Sequence, residues 1–377
     1  SRSSEEFYGD PRYGELWVGV RPSLEEVEHA TGIACAHIDS LGDALAKDAG
    51  TLELCVVSEA DPSITELVNQ VRSQNGAVDA QVNAANDAKL LEALAELRLI
   101  KDPWEIEQLE LAVSVTKSGF EKLIRSLPRA TEHWRGERVL EGAFGAVARE
   151  EGNGLGYDTI AASGNHANTL HWINNAGRVL ESDMVLVDAG AEVDSLYTAD
   201  VTRTLPVSGT FSEAQRKIYQ AVLDAADASF AKANEPGVRF RDLHNAAMEV
   251  LAERLESWGC LPEGATAAQS LSAEGQYHRR WMVHGTSHHL GLDVHDCAQA
   301  RREMYMDALL EPGMCFTLEP GLYFRADDLQ VPEELRGQAV RIEDDIVIDP
   351  DGSARRITAD IPRDTDDVEN WVRSLRG

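Results

Sequence analysis

Basic residues are scarce in this chain of 377 residues, in which 35 lysines and arginines stand against 65 aspartates and glutamates. The formal net charge of −30 repels phosphate backbones and anionic lipid surfaces. We therefore exclude nucleic acids and membranes as partners. The hydrophobic share of 43% is that of an ordinary globular protein, so the acidity belongs to a folded chain.

Cysteines and long apolar runs are also few. The five cysteines form no CxxC pair and are odd in number, which argues against a disulfide framework and against a structural zinc knuckle. No apolar stretch reaches the roughly 18 residues needed to span a membrane, and the first residues, SRSSEEFYGD, show no signal-peptide pattern. We expect a cytoplasmic protein. No GxGxxG follows a strand-like run, so a dinucleotide-binding fold has no support.

The length suits two domains. Up to Leu97, short apolar runs such as LWVGV and LELCVV alternate with helical stretches, which predicts a small α/β domain over residues 1–97. Over residues 98–377, helices alternate with strands that include hairpin-like neighbours. This pattern favours an α+β domain over a doubly wound sheet.

Three capping patterns predict where helices begin in the second domain. Asp102 is followed by Pro103 and Glu105, as in a capping box with proline at the first helical position. A similar box is predicted at SEAQ from residue 212, and a third helix is predicted to begin at Thr131. The strands between the helices are predicted at YDTIAAS, LHWI, MVLVDAG, LYTADVTRTLPVSG, GMCFTLEPGLYF and AVRIEDDIVI.

Four acidic residues end or interrupt these apolar runs. Asp188 ends MVLVDAG and Asp200 lies in LYTADVTRT. Glu319 ends the apolar run CFTLEP, and Glu343 lies in AVRIEDDIVI. Taken singly, each acid is more simply a residue at the end or edge of a strand. Four of them in one domain point to a shared role, because a buried carboxylate needs a partner or a metal ion.

Histidines are concentrated between the second and third of these acids. The segment HGTSHHLGLDVHD contains His284, His288, His289 and His295. Two aspartates, two glutamates and one histidine form an oxygen-rich set that suits two divalent ions such as Mn²⁺, with Zn²⁺ or Co²⁺ as competitors. Two ions about 3.5–4 Å apart can activate a bridging hydroxide for hydrolysis. The composition therefore predicts a dinuclear hydrolase, provided that the side chains converge.

The order LVDAG, ADVTRT, HGxxHxxGLDVHD, LEPGLY and RIEDD, over about residues 98–350, resembles the pita-bread metallopeptidases, and most closely the Xaa-Pro aminopeptidases (aminopeptidase P). The resemblance implies a pita-bread catalytic domain that hydrolyses the bond between an N-terminal residue and a following proline. The metal ligands that it implies are Asp188, Asp200, His288, Glu319 and Glu343. Asp200 and Glu343 would bridge the two ions, and Glu319 would also carry the proton of the attacking water.

Further residues match active-site positions of the family that are not ligands. His171 in SGNHANTLHW, together with His284 and His295, would hydrogen-bond the substrate carbonyl, the developing oxyanion and the leaving nitrogen. Arg341 and Tyr323 match active-site positions as well. Of this set, His171, His295 and Tyr323 would contact the proline-containing substrate.

Neighbouring histidines compete for two of these assignments. His288 follows His284 by four residues as the motif requires, so we expect His289 to lie behind the ligand or at the surface, with little effect when it is replaced. His166 lies close to His171 in sequence, and we take His171 as the residue that matches the family position.

The spacing between the first two acids departs from the family. Asp200 follows Asp188 by twelve residues, one more than is usual there. We expect the extra residue to enlarge the turn around Glu192–Ser195 and Asp194 to be exposed.

Other functions of this fold remain as alternatives. An Xaa-Pro dipeptidase (prolidase) shares the ligands and histidines and is the main one. Three others fit less well. Methionine aminopeptidases lack the larger N-terminal domain that residues 1–97 partly resemble. Creatinase lacks the metal ligands, and non-catalytic binding modules of the fold have lost ligands, whereas all five are present here.

The resemblance also implies a homodimer or homotetramer, and an N-terminal domain of which about half is missing here.

Overall fold

The structure is a computed structural model, and it describes residues 5–49, 51–74 and 79–376. The chain divides into two units, Ser1–Leu91 and Glu92–Gly377. The α-helices are α1 (Glu15–Val18), α2 (Leu24–Thr31), α3 (Leu41–Asp48), α4 (Pro62–Gln74), α5 (Ala80–Leu97), α6 (Pro103–Arg125), α7 (Leu127–Glu132), α8 (Gly136–Glu151), α9 (Glu213–Ala233), α10 (Phe240–Ser257), α11 (Ala267–Leu271) and α12 (Thr365–Arg376). The strands are β1 (Gly154–Leu155), β2 (Ile160–Ser163), β3 (Met184–Ala189), β4 (Ala191–Glu192), β5 (Val201–Pro206), β6 (Cys315–Leu318), β7 (Gly321–Phe324), β8 (Gln338–Arg341), β9 (Asp344–Ile348) and β10 (Ala354–Arg356).

The first unit is helical where the structure describes it. Most of LWVGV lies in α1, and LELCVV is not a strand, so the two strands predicted there are wrong. A strand needs a neighbour with which to exchange backbone hydrogen bonds, and the described residues of this unit offer no more than an isolated bridge between Ala49 and Leu52. The division of the chain falls inside α5, whereas the predicted domain limits of 1–97 and 98–377 place it at the end of that helix. Those limits stay a prediction.

Two of the three predicted helix starts in the second unit are confirmed. Asp102 and Glu105 form both hydrogen bonds of a capping box before α6, and Ser212 does the same with its N3 residue before α9. The predicted start at Thr131 is wrong, because this residue lies near the end of α7 and the next helix begins at Gly136. A tertiary contact determines that start: the backbone N–H of Glu137 donates to the carbonyl of Gly177.

The strands of the second unit form small antiparallel sheets. One has the order β2-β3-β5, a second has the order β10-β9-β6, and β7 pairs with β8. Each of the predicted strand regions contributes to these sheets except LHWI, which forms turns. Its Trp172 indole donates to the buried carboxylate of Glu137 at 2.9 Å, so a side-chain contact replaces the expected strand pairing.

Hydrogen bonds join the ends of these sheets. The backbone N–H of Glu343, between β8 and β9, donates to the carbonyl of Thr202 on β5 at 3.1 Å. At β6, the backbone N–H of Thr317 donates to the carbonyl of His288 at 2.9 Å, and the backbone N–H of Glu319, just after this strand, donates to the carbonyl of Thr286 at 2.8 Å. The four acids and His288 are thereby brought to one place, next to a core of buried apolar side chains from the sheets and from α6, α8, α9 and α10.

None of the described helices is both long enough and apolar enough to cross a membrane.

Candidate metal centre

All four acids lie in one cavity of about 540 Å³, together with His288. We call this the carboxylate cavity; the charged side chains that line it are Asp158, Asp188, Asp200, Glu319, Glu343 and Arg341. The convergence on which the dinuclear hypothesis depended is therefore present.

Strand register explains the position of the two aspartates. Asp188 on β3 pairs with Thr202 on the antiparallel β5, and Asp200 comes directly before β5. The two residues thus lie at the same end of neighbouring strands. The Thr202 hydroxyl donates to Glu343 Oε2 at 2.6 Å and holds the fourth acid at this end.

The imidazole of His288 lies among three carboxylates. Its Nε2 is 3.2 Å from Asp200 Oδ2, 3.6 Å from Glu319 Oε1 and 4.0 Å from Glu343 Oε1. Ligand atoms of Asp200, His288 and Glu343 all lie within 4.8 Å of one another. These three side chains can therefore contact one cation.

Asp188 is held on both of its oxygens. Oδ2 accepts a hydrogen bond from Arg341 Nη2 at 2.5 Å, and Oδ1 lies 2.6 Å from the hydroxyl of Tyr157, which also contacts Asp200. Sequence reasoning missed Tyr157. Its position just before β2 carried no signal beyond a polar residue at the edge of an apolar run.

The electrostatics of the carboxylate cavity favour a bound cation. Burial, followed by the charges of Asp200, Glu319 and Asp188, raises the pKa of Glu343 well above its usual value. Burial likewise raises the pKa of Glu319 to about 7, against the opposing charges of His288 and Arg341. Crowded, buried carboxylates of this kind are stabilised by divalent ions, for which oxygen atoms and one imidazole are suitable donors. The residues present therefore fit a divalent metal centre.

The three histidines predicted to act without binding metal all line the carboxylate cavity. His171 and His295 line the carboxylate cavity, and the His295 ring lies 4.4 Å from the His288 ring. His284 also lines it, with Nδ1 3.6 Å from Glu319 Oε2. Burial and the charge of Arg341 lower the pKa of His284 to about 3, so its imidazole is neutral.

Tyr323 is not among the lining residues of the carboxylate cavity, and its contact with substrate stays a prediction. The side chain is buried, and its hydroxyl lies 2.7 Å from His284 Nε2 and 3.0 Å from Arg341 Nη1. It was predicted as a contact because it matches an active-site position of the family. Its contacts are those of a residue that orients two neighbours.

The structure separates the competing residues. His166 does not line the carboxylate cavity; its Nδ1 lies 2.7 Å from Glu137 Oε1 and its ring stacks on Trp172, beside His171. Asp194 is exposed, as expected, in a turn where Leu196 takes a positive φ of 70°.

His289 lies outside the carboxylate cavity, and its surroundings lead us to expect a larger effect of its replacement than the sequence indicated. The side chain is fully buried, stacks on Phe240 at a ring distance of 4.8 Å and packs edge-on against Tyr305. Burial, with the charge of Lys101, lowers the pKa of His289 to about 3, so the ring packs as a neutral group.

We expect His289→Ala to lower the free energy of unfolding by about 2–4 kcal/mol, a loss similar to that caused by removing other buried side chains. Urea unfolding would measure this, with the exposed His29→Ala as the control; equal stabilities would contradict it.

Metal binding should depend on pH. Burial disfavours the charged form of His288, but the hydrogen bond to Asp200 and the charge of Glu319 outweigh it and raise its pKa to about 9. The metal-free site therefore holds a proton at neutral pH that an ion must displace. We expect the apparent affinity for Mn²⁺ to rise by at least about tenfold per pH unit between about pH 6 and pH 8, because the raised pKa values of Glu319 and Glu343 add to the protons that the ion displaces. Calorimetry in buffers of different ionisation enthalpy would measure the released protons, and an affinity independent of pH would contradict the expectation.

Comparisons with known proteins agree with this geometry. Residues 107–350 match metallopeptidase family M24. The chain is 47% identical over 376 residues to Xaa-Pro aminopeptidase 1 of Streptomyces coelicolor, an alignment that covers 100% of this chain and 72% of that protein. Xaa-Pro aminopeptidase 2 of the same organism is 46% identical over 379 residues, covering 100% of this chain and 76% of that protein. A solved structure of a glutamate-to-alanine variant of Escherichia coli aminopeptidase P in complex with substrate is similar with a TM-score of 0.82 at 28% identity, covering 96% of this chain and 80% of that chain.

Proposed function

The chain belongs to metallopeptidase family M24 and is a metallo-aminopeptidase of the pita-bread fold, and we propose that it removes the N-terminal residue from peptides whose second residue is proline. The observation that carries this proposal is the convergence of the four acids and His288 in the carboxylate cavity. Relatives named Xaa-Pro aminopeptidase align over the whole of this chain, which supports the proline preference.

We propose that two divalent ions are held by Asp188, Asp200, His288, Glu319 and Glu343, with Mn²⁺ as the expected metal and Zn²⁺ or Co²⁺ as competitors. Such ions would polarise the scissile carbonyl and lower the pKa of the attacking water.

The protein's own residues then supply proton transfer and orientation. Glu319, with a pKa near neutrality in the metal-free site, takes the proton of the attacking water and passes it toward the leaving nitrogen. His171 and His295, which line the carboxylate cavity, donate hydrogen bonds to the carbonyl and the leaving nitrogen. His284 donates or accepts beside Glu319 and is kept in place by the Tyr323 hydroxyl.

Proline recognition needs an apolar surface, because a proline following the scissile bond offers a ring and no N–H. The carboxylate cavity supplies apolar side chains from Leu170, Ile173 and Val294 next to its histidines. The proline ring of the substrate can pack against these apolar side chains while His171 or His295 hydrogen-bonds the proline nitrogen as it leaves.

The main alternative, an Xaa-Pro dipeptidase, differs in whether the site leaves space beyond the proline. We expect Mn²⁺-loaded protein to cleave Xaa-Pro-Xaa tripeptides at least as fast as Xaa-Pro dipeptides, and Xaa-Ala-Xaa peptides poorly. Product analysis by mass spectrometry would measure the three rates. Cleavage of dipeptides alone would establish the alternative. A homodimer or homotetramer stays a prediction, which light scattering would test.

A further inference from the structure

A second cavity adjoins the carboxylate cavity. It has a volume of about 300 Å³ and shares His284, Gly285 and Ser287 with its larger neighbour. Its other polar residues come from the first turns of α10 and from the segment that follows α11. We call it the basic cavity, and its basic side chains are Arg241, His244, His278, Arg279 and His284.

The charge of the basic cavity is opposite to that of the protein as a whole. None of the described residues that line it is an aspartate or glutamate, although the chain has a net charge of −30. Arg279 is exposed and forms no ion pair within the described part of the chain. Arg241 shares the carboxylate of Asp307 with Arg302, at 2.6 and 3.1 Å. At least one guanidinium at this cavity is thus available to an anion.

Two further groups point to a ligand. Burial is the largest cause that lowers the pKa of His244, followed by the charges of His278 and Arg279; because burial lowers the pKa of His278 as well, Arg279 is the one of these two neighbours that stays charged at neutral pH. The hydroxyl oxygen of Ser287 is buried at the boundary of the two cavities and has no hydrogen-bond partner among the described residues. A buried hydroxyl without a partner is unfavourable unless a ligand or water satisfies it.

We propose that the basic cavity binds a carboxylate of the peptide substrate on the C-terminal side of the proline, in the first place the terminal carboxylate of a short peptide. This inference rests on the proposed function. The free amino group of the substrate is a cation, which Arg241 and Arg279 would repel and the acids of the carboxylate cavity would attract. The peptide therefore meets the basic cavity with its other end, and a carboxylate is the ligand that guanidinium groups pair with best.

The test compares peptides that differ in one charge. Ala-Pro-Ala, Ala-Pro-Ala-Ala and Ala-Pro-Ala-Ala-Ala would be supplied as free acids and as C-terminal amides, with the amides of Ala-Pro-Ala-Glu and Ala-Pro-Ala-Gln as a further pair. We expect kcat/KM at low ionic strength to be about three- to tenfold higher for the acid at one of these lengths, mainly through KM. A preference for the glutamate peptide over the glutamine peptide would identify a side-chain carboxylate as a second ligand of the same cavity.

Variants assign the preference to this cavity. Arg279→Gln should bring acid and amide to equal kcat/KM by lowering the value for the acid, and Arg241→Gln should reduce the preference. Arg302→Gln is the matched control, because it removes the same charge beside the same Asp307 but does not line the basic cavity, so the preference should persist.

Two outcomes would overturn the proposal. One is equal cleavage of acids and amides at every length by wild-type protein that does cleave Xaa-Pro bonds. The other is an acid preference that survives in both Arg241→Gln and Arg279→Gln. Failure to cleave any Xaa-Pro peptide is a different result, since it would reject the proposed function itself.

Discussion

Glu319→Gln should lower kcat by about 10²–10⁴-fold while part of the bound metal remains, because glutamine keeps an oxygen for the ion but cannot carry a proton. The side chain is suited to that role. It lies in the carboxylate cavity 3.6 Å from both His288 and His284, and burial raises its pKa to about 7. The measurement is kcat on an Xaa-Pro-Xaa peptide at saturating Mn²⁺, with metal content determined on the same sample.

Glu311→Gln is the matched control for this experiment. Glu311 is exposed, precedes β6 and lies outside the carboxylate cavity, so the same change there should leave kcat within about twofold of wild type. A fall in kcat that follows a proportional loss of metal would instead show that Glu319 acts as a ligand and not as a proton carrier. Wild-type turnover with full metal content would remove it from the mechanism.

The sequence predicted which acids share a site because each of them interrupts an apolar strand. Asp188 and Asp200 have little reason to end or flank fully buried strands unless something compensates their charge, and the pairing of β3 with β5 places them together. The motif order gave His288 in the same way, since the residues that follow it pack along β6.

The supporting contacts could not be predicted, because they come from residues distant in sequence. Tyr157 reaches Asp188 and Asp200 across the β2-β3 pair, and Thr202 reaches Glu343 from another sheet. Neither residue type marks itself as functional in a strand. Tyr323 matches an active-site position of the family; its hydroxyl contacts His284, it is not among the residues that line the carboxylate cavity, and its contact with substrate stays a prediction.

Short sequence patterns predicted helix starts correctly where the stabilising contacts lie within the pattern itself. The capping boxes at Asp102 and Ser212 each need only a segment of four residues to form, and both are present. The start of α8 and the turns in LHWI depend on Glu137, a buried carboxylate that accepts hydrogen bonds from four groups. A buried acid inside a helix gives no sign in sequence of which loop it will hold.

Arg203→Met should lower the free energy of unfolding by about 3–5 kcal/mol, since it breaks a buried ion pair. The Arg203 guanidinium is fully buried; Nη2 donates to Asp344 Oδ1 at 2.7 Å, and Nη1 donates to the carbonyl of Glu343 at 2.6 Å. Methionine fills similar volume but leaves both acceptors without this partner. Because the same contact fixes the backbone of Glu343, metal affinity should fall as well. Arg254→Met is the control, since its pair with Asp224 is half exposed and should contribute less than about 1 kcal/mol.

The stability deficit of Arg203→Met should shrink on acidification. Burial opposes ionisation of Asp344, but the charges of Arg203 and Arg363 outweigh it and hold its pKa below the usual 3.8. A carboxyl whose pKa is lower in the folded than in the unfolded chain contributes stability above the unfolded value and loses it as the pH falls through the folded value. The difference between variant and wild type should therefore be complete near neutral pH and decline below about pH 4. Urea unfolding of variant and wild type, near neutral pH and again below about pH 4, would measure this difference. A deficit that stayed constant would mean that the loss arises from packing and from the backbone hydrogen bonds, and that the charge of Asp344 has no part in it.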